Sequence, residues 1–350
     1  MAMPEVTIRG AGIFGLSIAW ACVQRGARVA VVDPTGPGTG ASGGVVGALA
    51  PHVPENWNTK KAFQFESLLA AEAFWSQVEA TGGVSSGYGR TGRVQPVPDA
   101  ASLPLARARA ENANELWQGH AVWEVLPVET AGATSGWGLS PASGWLIRDT
   151  LSARLHPARA MASLVAALTE RGVPIHAEAP DQGAVVWATG TEGLAHLSET
   201  LGRAIGQGIK GQAAVLDADL PPDAPQLFVD GLHLVPHHDG RVAIGSTSER
   251  DFEAPFATDD LLEPLIAAAR DAVPMLAEAP VLQRWAGLRP RARSRAPLLD
   301  VWPDRPGHFI ANGGFKIGFG MAPKVAQVMA DLILDGRDGI PEAFRLSASL

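Results

Sequence analysis

The stretch "VTIRGAGIFGLSIAW" occupies residues 6–20 and carries glycines in the spacing G-x-G-x-x-G. The apolar residues before the first glycine predict a short buried strand, and residues 13–25 have the apolar spacing of a helix that Gly26 ends. Residues 28–32 predict a second strand, which Asp33 follows directly. The stretch therefore opens a strand–helix–strand unit of the kind that holds a dinucleotide.

Each glycine of this unit has its own physical reason. Gly10 permits a tight turn, Gly12 lets a pyrophosphate approach the backbone, and Gly15 lets the helix pack closely on the strand. The helix N-terminus then faces the phosphates with its partial positive charge. Asp33 stands about where an acidic residue accepts hydrogen bonds from ribose hydroxyls. The unit predicts a site for ADP, which NAD and FAD have in common.

The composition is that of an ordinary globular protein. With 350 residues, 46% hydrophobic and 18% charged, the chain can bury a large core, and its length favours two domains. The net charge of -8 gives no general attraction to nucleic acid or to anionic membranes. Cys22 is the only cysteine, which excludes an intrachain disulfide and a cysteine-based zinc site. With no room for a leader and no long apolar run, we expect a cytoplasmic protein without a metal.

Three glycine-rich strand ends can surround one long ligand. After Asp33, "PTGPGTGASGGVVGALAPH" (34–52) stands where a simple NAD domain would begin another helix. The loop can lie along an extended dinucleotide, with Ser42 and backbone N–H groups as donors. "GAVVWATG" (183–190) and "HFIANGGFKIGFGMAP" (308–323) are strands that end in glycine turns.

These motifs together resemble the FAD-dependent D-amino acid oxidase superfamily, especially its glycine and sarcosine oxidase branch. The resemblance covers nearly the whole chain in the family's order. The motifs that carry it are GAGIFG (10–15) with Asp33, GASGGVVGALAP (40–51), LHPARAMASLVAALTERGVPI (155–175), VVWATG (185–190), IKGQ (209–212), LVPHHDGRVAIGSTSE (234–249), WAGLRP (285–290) and GGFKIG (313–318).

The resemblance implies an α/β fold in which a Rossmann-type FAD-binding domain is interleaved with an α+β substrate domain built on an antiparallel sheet. The FAD-binding domain would comprise residues 1–80, 150–208 and 286–350, and the substrate domain residues 81–149 and 209–285. Residues 88–97 and 232–245 alternate as hairpins do. The chain lacks the short strands that relatives insert before "GAVVWATG", which predicts a more open adenine side.

The resemblance also implies FAD as the cofactor. We expect non-covalent binding, because Cys22 lies on the first helix and residues 41–50 contain no histidine. The residues expected to contact FAD are Gly10, Gly12, Ile13, Phe14, Gly15, Asp33, Ser42, Gly47, Ala48, Thr189, Gly190, Gly313, Gly314, Phe315, Lys316 and Ile317.

In this family the flavin accepts a hydride from the substrate carbon that bears the amine, and oxygen reoxidises it. Arg289 in "GLRP" matches the carboxylate-binding arginine of the family. Lys316 stands where relatives carry a basic residue near the flavin edge, or it is a solvated lysine. His233 replaces a substrate-touching tyrosine, and His52 either faces the flavin or makes an ordinary loop hydrogen bond.

The identity of the substrate stays open. Tyr88 is the only tyrosine, so the usual tyrosine hydrogen bonds to substrate are largely missing. Arg291, Arg293 and Arg295 alternate after Arg289, which on a strand would place all four on one face. They are either solvated residues of a turn or a site for a second anionic group on the substrate.

Three functions fit these residues. The first is an oxidase of glycine, sarcosine or a small D-amino acid. The second is a flavin enzyme that acts on the glycine-like group of a tRNA wobble uridine, although the acidic net charge makes nucleic acid a poor partner. The third is a dehydrogenase that passes electrons to a quinone or carrier protein. A flavin-binding protein without catalysis is the remaining interpretation.

Overall fold

The computed structural model describes residues 3–130 and 136–350. In this part of the chain the strands are β1 (Val6–Arg9), β2 (Val29–Val32), β3 (Ala48–Leu49), β4 (Arg93–Pro96), β5 (Trp123–Pro127), β6 (Trp145–Asp149), β7 (Ala153–Arg154), β8 (Ile175–His176), β9 (Ala184–Trp187), β10 (Gly206–Leu216), β11 (Gln226–Val229), β12 (Leu232–Pro236), β13 (Val242–Gly245), β14 (Val281–Ala292), β15 (Leu298–Val301) and β16 (His308–Asn312). The α-helices are α1 (Ile13–Gln24), α2 (Thr59–Gly82), α3 (Leu103–Trp117), α4 (Pro157–Glu170), α5 (Gly190–Leu201), α6 (Leu262–Ala272) and α7 (Gly318–Asp335).

The first sheet has the strand order β15-β16-β9-β1-β2-β8. Its strands are parallel except at the edge, where β15 runs antiparallel to β16. All four residues of β2, the sequence VAVV, are buried, as expected for a strand covered on both faces. Helix α1 is buried nearly all round and packs against α7 and α4. The predicted strand–helix–strand unit is thus present, with its elements close to the expected bounds.

The second sheet has the order β14-β10-β13-β12-β11-β4-β6-β5 and is antiparallel except where β11 runs parallel to β4. β12 and β13 form the hairpin predicted over residues 232–245. The hairpin predicted over residues 88–97 is wrong. That segment contains the single strand β4. Its partners are β6 and β11, which come from distant parts of the chain, so the segment does not pair with itself.

The two sheets and their helices agree with the predicted α/β fold. Strands of the first sheet come from both ends and the middle of the chain, as interleaving requires. The proposed domain boundaries stay a prediction; β10 and β14, which pair along most of their length, cross those at 208/209 and 285/286. Among residues 3–130 and 136–350, no helix combines the length and the apolar character that a membrane crossing needs.

Candidate active site

A cavity of about 880 Å³ lies between the two sheets. The carboxyl ends of the parallel strands β1, β2, β9 and β16 open onto it, at the edge where open α/β sheets bind their ligands. The second sheet closes the cavity with residues of β11, β12 and β14. The cavity therefore reaches from the glycine-rich strand ends to the face of the antiparallel sheet.

The nucleotide end of the cavity is built from backbone that only glycine permits. Gly10 has φ +103°, and a Cβ there would lie 2.3 Å from the carbonyl oxygen of Ala188. Gly12 precedes the first residue of α1, and Gly12, Ile13 and Phe14 line the cavity, so the helix N-terminus lies at the cavity wall. The Oγ of Ser42 accepts a hydrogen bond from the N–H of Ile13 at 2.9 Å. These groups fit a pyrophosphate, which needs close backbone approach and a positive helix end.

Asp33 lines the cavity directly after β2. Its Oδ2 accepts a hydrogen bond from the N–H of Ala11 at 2.7 Å, and its Oδ1 accepts one from the N–H of Thr35 at 2.9 Å. These bonds hold the carboxylate at the strand end. Since a carboxylate oxygen accepts more than one hydrogen bond, Oδ2 keeps capacity for a ribose hydroxyl.

Arg9, which stands before the first glycine, has a structural role. Its Nε lies 2.6 Å from Oδ1 of Asp181, and its Nη2 donates to the carbonyl oxygen of Ala179 at 3.0 Å. The guanidinium also lies 5.6 Å from the ring centroid of Trp187. Arg9 therefore fixes the short link between β8 and β9.

Most of the predicted cofactor residues line this cavity. Three residues chosen from the sequence do not: Gly15 packs under Gly10, Gly47 packs against the carbonyl of Leu155, and His52 lies elsewhere. The predicted residues that do line it are Gly10, Gly12, Ile13, Phe14, Asp33, Ser42, Ala48, Thr189, Gly190, His233, Arg289, Gly313, Gly314, Phe315, Lys316 and Ile317.

The sequence indicated His233 and Arg289 of the second sheet but not Phe228, Ser246, Phe256 and Trp285, which also line the cavity. A signal for Trp285 exists, because it lies four residues before Arg289 on β14 and strand residues at even spacing share one face. A signal for Phe228 exists too, because the Asp230-Gly231 turn places it opposite His233. Ser246 and Phe256 lie outside the strands, where the sequence carries no comparable pattern.

Arg289 is a buried cation in the cavity wall, with 8% of its surface exposed. Its Nη1 donates a hydrogen bond to the carbonyl oxygen of Thr247 at 3.1 Å, and its guanidinium lies 5.9 Å from the ring centroid of Trp285. Gly211 on β10 leaves the space for it, because a Cβ there would lie 1.8 Å from Nη1. Burial lowers the pKa of Arg289 to about 10, so the side chain stays charged at neutral pH.

Glu249 supports the charge of Arg289 without pairing directly with it. Burial lowers the pKa of Arg289, and the negative charge of Glu249 opposes that shift. Oε1 of Glu249 accepts hydrogen bonds from Oγ1 of Thr247 and from Nε2 of Gln212, the latter at 3.1 Å, and Lys210 lies 3.5 Å from Oε2. In the described part of the chain no carboxylate forms an ion pair with Arg289, which leaves its guanidinium available to an anion in the cavity.

His233 and Lys316 lie on the same cavity wall. The His233 ring packs on Phe228 with centroids 4.6 Å apart. Burial, then the charges of Arg93 and Lys316, lower the pKa of His233 to about 3, so the ring is neutral at pH 7. Its Nδ1 is buried without a hydrogen-bond partner among the described residues. Lys316 is exposed along the cavity, and desolvation followed by the charge of Arg289 lowers its pKa.

The arginines after Arg289 run from the end of a strand into a turn, and the turn is one of the two arrangements that the sequence left open. β14 ends at Ala292, so only Arg289 and Arg291 lie on the strand. Arg293 is exposed and donates to the terminal carbonyl of Leu350 at 3.0 Å. Arg295 has φ +59°, which reverses the chain direction. Arg293 thus binds the end of the chain, whereas Arg291 and Arg295 stay close enough for their charges to interact.

A histidine behind the flavin loop gives the protein a pH-dependent stability. Nε2 of His237 lies 3.1 Å from the carbonyl oxygen of Val45, which lines the cavity. Burial, then the neighbouring His156, lower the pKa of His237 to about 4. Because the unfolded chain binds this proton near pH 6.5, the stabilising contribution is present above that pH and is lost as the pH falls toward 4.

We expect the thermal midpoint of the His237→Gln variant to fall less between pH 7 and pH 5 than that of the wild type. A buried histidine held neutral costs about 1.4 kcal/mol of stability per pH unit below its unfolded pKa. The exposed neighbour His238 supplies the matched control, His238→Gln. Melting curves at fixed FAD concentration measure the difference, and an identical pH slope in wild type and His237→Gln would contradict it.

The glycine-rich strand ends and the cavity between the sheets define a Rossmann-type nucleotide-binding protein. Residues 5–332 match the family described as DAO, FAD dependent oxidoreductase. The chain is 26% identical over 363 residues to the glycine oxidase of Geobacillus kaustophilus strain HTA426. The match covers 94% of this chain and 92% of that protein.

Solved structures show the same fold. The crystal structure of glycine oxidase from Geobacillus kaustophilus has a TM-score of 0.83 at 22% identity and covers 98% of each chain. That of iminodiacetate oxidase from Chelativorans sp. BNC1 has a TM-score of 0.83 at 20% identity and covers 97% of this chain and 98% of the other.

The chain belongs to the DAO family of FAD-dependent oxidoreductases. The resemblance to the D-amino acid oxidase superfamily and its glycine oxidase-like branch is confirmed, and so is the enzyme class, an FAD-dependent oxidoreductase of the glycine oxidase type. The residues present fit the cofactor. The Gly10 turn, the uncapped start of α1 and the Asp33 carboxylate match its pyrophosphate and ribose.

Proposed function

We propose that this protein oxidises the C–N bond of a small amino acid with FAD, with oxygen as the electron acceptor. The observation that carries the proposal is Arg289. It is a charged guanidinium in the wall of the cavity, buried beside Trp285, and no carboxylate of the described chain pairs with it. A buried cation without a protein counterion favours an anionic ligand, because burying an unpaired charge is costly. The relationship to glycine oxidase supports a small amino acid.

Arg289 binds the substrate carboxylate and fixes its direction. The planar guanidinium can donate two parallel hydrogen bonds to a carboxylate, which sets both position and orientation. Thr247 holds one side of the guanidinium through Nη1, so the group is positioned before substrate binds. Lys316 adds a second positive charge to the cavity lining. Its pKa is lowered by desolvation and then by the charge of Arg289.

His233 and the aromatic residues position the other end of the substrate. The neutral His233 ring can accept a hydrogen bond from the substrate amine, a role that the missing tyrosines would otherwise fill. Phe228 and Trp285 line the cavity and exclude water around this contact. Together with Arg289 they align the substrate C–H bond, and such alignment supplies a large part of catalysis.

FAD, when bound, would supply the two-electron oxidant for the carbon bearing the amine, and water would hydrolyse the resulting imine to a carbonyl compound and ammonia, or an amine where the substrate is N-alkylated. Oxygen then receives the two electrons and two protons as hydrogen peroxide. A quinone or carrier protein would receive the same electrons in a dehydrogenase. Peroxide release separates the two acceptors.

FAD binding without a covalent bond is part of the proposal. Cys22 is buried in α1 and does not line the cavity, and burial raises its pKa to about 12. None of the residues 41–50 is a histidine. We expect acid precipitation to leave the yellow colour in the supernatant, with FAD and not FMN on chromatography. Colour that stays in the pellet would contradict this.

The function is tested by flavin bleaching without oxygen. The purified protein is mixed with glycine, sarcosine, both enantiomers of alanine and proline, and the corresponding decarboxylated amines. We expect loss of the oxidised flavin absorbance with at least one amino acid and little with its amine. Admission of air should restore the absorbance and release one peroxide per substrate oxidised. Bleaching by none of the amino acids would overturn the proposal.

A further inference from the structure

A second cavity of about 420 Å³ shares a wall with the first one. Gly313, Gly314, Phe315 and Ile317, in the turn between β16 and α7, line both cavities. The second cavity is otherwise basic: its charged lining residues are Lys60, Arg250, Arg291 and Arg295, and His52 lies among them.

No carboxylate compensates these four cations. Within residues 3–130 and 136–350, none of them forms an ion pair, and no aspartate or glutamate lines the cavity. Asp251 and Glu253 are close to Arg250 in sequence but do not reach the lining. Ten of the other twenty arginines pair with an acidic residue in the described part of the chain, whereas none of the three in this cavity does.

The chain holds the cations in place. Nζ of Lys60, at the start of α2, donates a hydrogen bond to the carbonyl oxygen of Arg295 at 2.6 Å, which fixes the turn after β14. His52 is held from the opposite side, because its N–H donates to Oε1 of Gln64 at 2.9 Å. These bonds fix Lys60 and His52 at the cavity wall.

The positive charges in the second cavity repel one another, and this repulsion contributes to lowering the pKa values of two of them. Burial, followed by the charges of Arg250 and Arg295, lowers the pKa of Arg291. Burial, followed by the charge of Arg295, lowers the pKa of Lys60. A bound anion would relieve both effects, since it replaces like-charge repulsion by attraction.

A line of positive charge connects the two cavities across Phe315. Nζ of Lys316, in the first cavity, lies 5.9 Å from the Phe315 ring centroid, and the guanidinium of Arg291, in the second, lies 5.8 Å from it. Lys316 in turn senses the charge of Arg289. Positive charge therefore lies on both sides of Phe315, at Lys316 in the first cavity and at Arg291 in the second.

We propose that the second cavity binds an anionic group of carboxylate or phosphate chemistry. The group is either the far end of an amino acid with a second anion, whose first carboxylate lies at Arg289, or a free anion. The substrate form of the inference rests on the proposed function, whereas the free-anion form does not. Several arginines around one small anion match the planar donors that bind these groups best.

The first arm of the test measures binding of inorganic phosphate to the FAD-loaded protein by calorimetry. The variants are Arg291→Gln and the exposed Arg250→Gln, and the control is Arg284→Gln, which removes the same charge from the same strand but lines neither cavity. We expect each cavity variant to weaken phosphate binding roughly 10-fold to 100-fold, since hydrogen bonds to charged groups carry most of the affinity. The control should bind as the wild type does.

The second arm compares turnover of matched substrates: aspartate with alanine, and iminodiacetate with sarcosine, where each pair differs by one carboxylate. The readout is the ratio of kcat/KM within a pair. If the group belongs to the substrate, the wild type favours the dianionic member, Arg291→Gln and Arg250→Gln lower the ratio about 10-fold or more, and Arg284→Gln does not.

The arms separate the sources and the proposals. A preference that depends on Arg291 assigns the cavity to the substrate, and phosphate binding without such a preference assigns it to a free anion. The inference would be overturned if Arg291→Gln and Arg250→Gln bound phosphate as tightly as the wild type and also had the same kcat/KM ratios within each substrate pair. If no amino acid is oxidised, the proposed function fails while the phosphate arm still tests the cavity.

Discussion

Arg289→Leu is expected to lower kcat/KM for an amino acid roughly 30-fold to several thousand-fold, because loss of a buried charge-assisted partner costs about 2–5 kcal/mol. KM rises because the carboxylate loses its two-point contact with the guanidinium. The kcat value falls as well, because a substrate that pivots loses alignment of its C–H bond with the flavin. Thr247 and Gly211, which contact the Arg289 guanidinium in the wild type, are unchanged in this variant.

Arg289→Lys and a second substrate show whether the contact is made to the carboxylate. An ammonium group cannot form the planar contact, so lysine should restore only part of the loss. The decarboxylated amine of the same substrate should be affected much less than the amino acid. Steady-state kinetics at equal FAD content measure both. Equal losses on amino acid and amine would assign Arg289 to the fold or to the flavin.

Gly211 helps to position the Arg289 guanidinium, and this role can be tested by kinetics. A Cβ at Gly211 would lie 1.8 Å from Nη1 of Arg289, so Gly211→Ala pushes the guanidinium away without removing its charge. We expect a loss in kcat/KM of the same kind but smaller, about tenfold or more for a lost hydrogen bond to a charged group. A fully active Gly211→Ala variant with unchanged KM would contradict the tight contact.

The sequence predicted the strand–helix–strand unit at one end of the cavity, because the determinants of that unit are local. The glycines, α1 and Asp33 belong to one continuous stretch, and helical and strand periodicities report on neighbours within a few residues. Arg289 was found through the family resemblance of "GLRP", and the structure places it in the cavity. Its role in binding substrate stays a prediction.

The substrate end was less accessible to sequence because it is assembled by pairing between distant strands. Alternation over residues 88–97 indicated a hairpin, yet β4 finds its partners in β6 and β11. Phe228 lies opposite His233 across the tight β11–β12 hairpin, and the Asp230-Gly231 turn that forms it is a local signal in the sequence. The arginine run could not be decided from the sequence, because its alternation fits either a strand or a turn; β14 ends at Ala292 and a turn follows.

His52 is separated from the first cavity by the turn of residues 313–317. The sequence left open whether it faces the flavin, and the structure places it in the second cavity, behind residues 313–317. Its neighbours there are Lys60 and Arg295, and burial is the main cause that lowers its pKa. A residue close in sequence to the flavin loop thus belongs to the basic cavity.

Asp33→Ala is expected to raise the dissociation constant for FAD about 10-fold to 100-fold, because a hydrogen bond to a charged group contributes about 1.5–3 kcal/mol. The substitution removes the acceptor for ribose hydroxyls and also the bonds from Ala11 and Thr35 that hold the strand end. Asp33→Asn separates these effects, since the amide oxygen still accepts one backbone bond but carries no charge.

Fluorescence titration of the apoprotein with FAD measures all variants, and Asp181→Ala is the matched control. Asp181 is a carboxylate beside the same sheet, but it pairs with Arg9 and does not line the cavity. We expect its FAD affinity to equal that of the wild type, with Asp33→Asn between the wild type and Asp33→Ala. Turnover of the FAD-saturated variants should change little, because Asp33 lies at the nucleotide end. Equal FAD affinity in Asp33→Ala and Asp181→Ala would show that the ribose is held elsewhere.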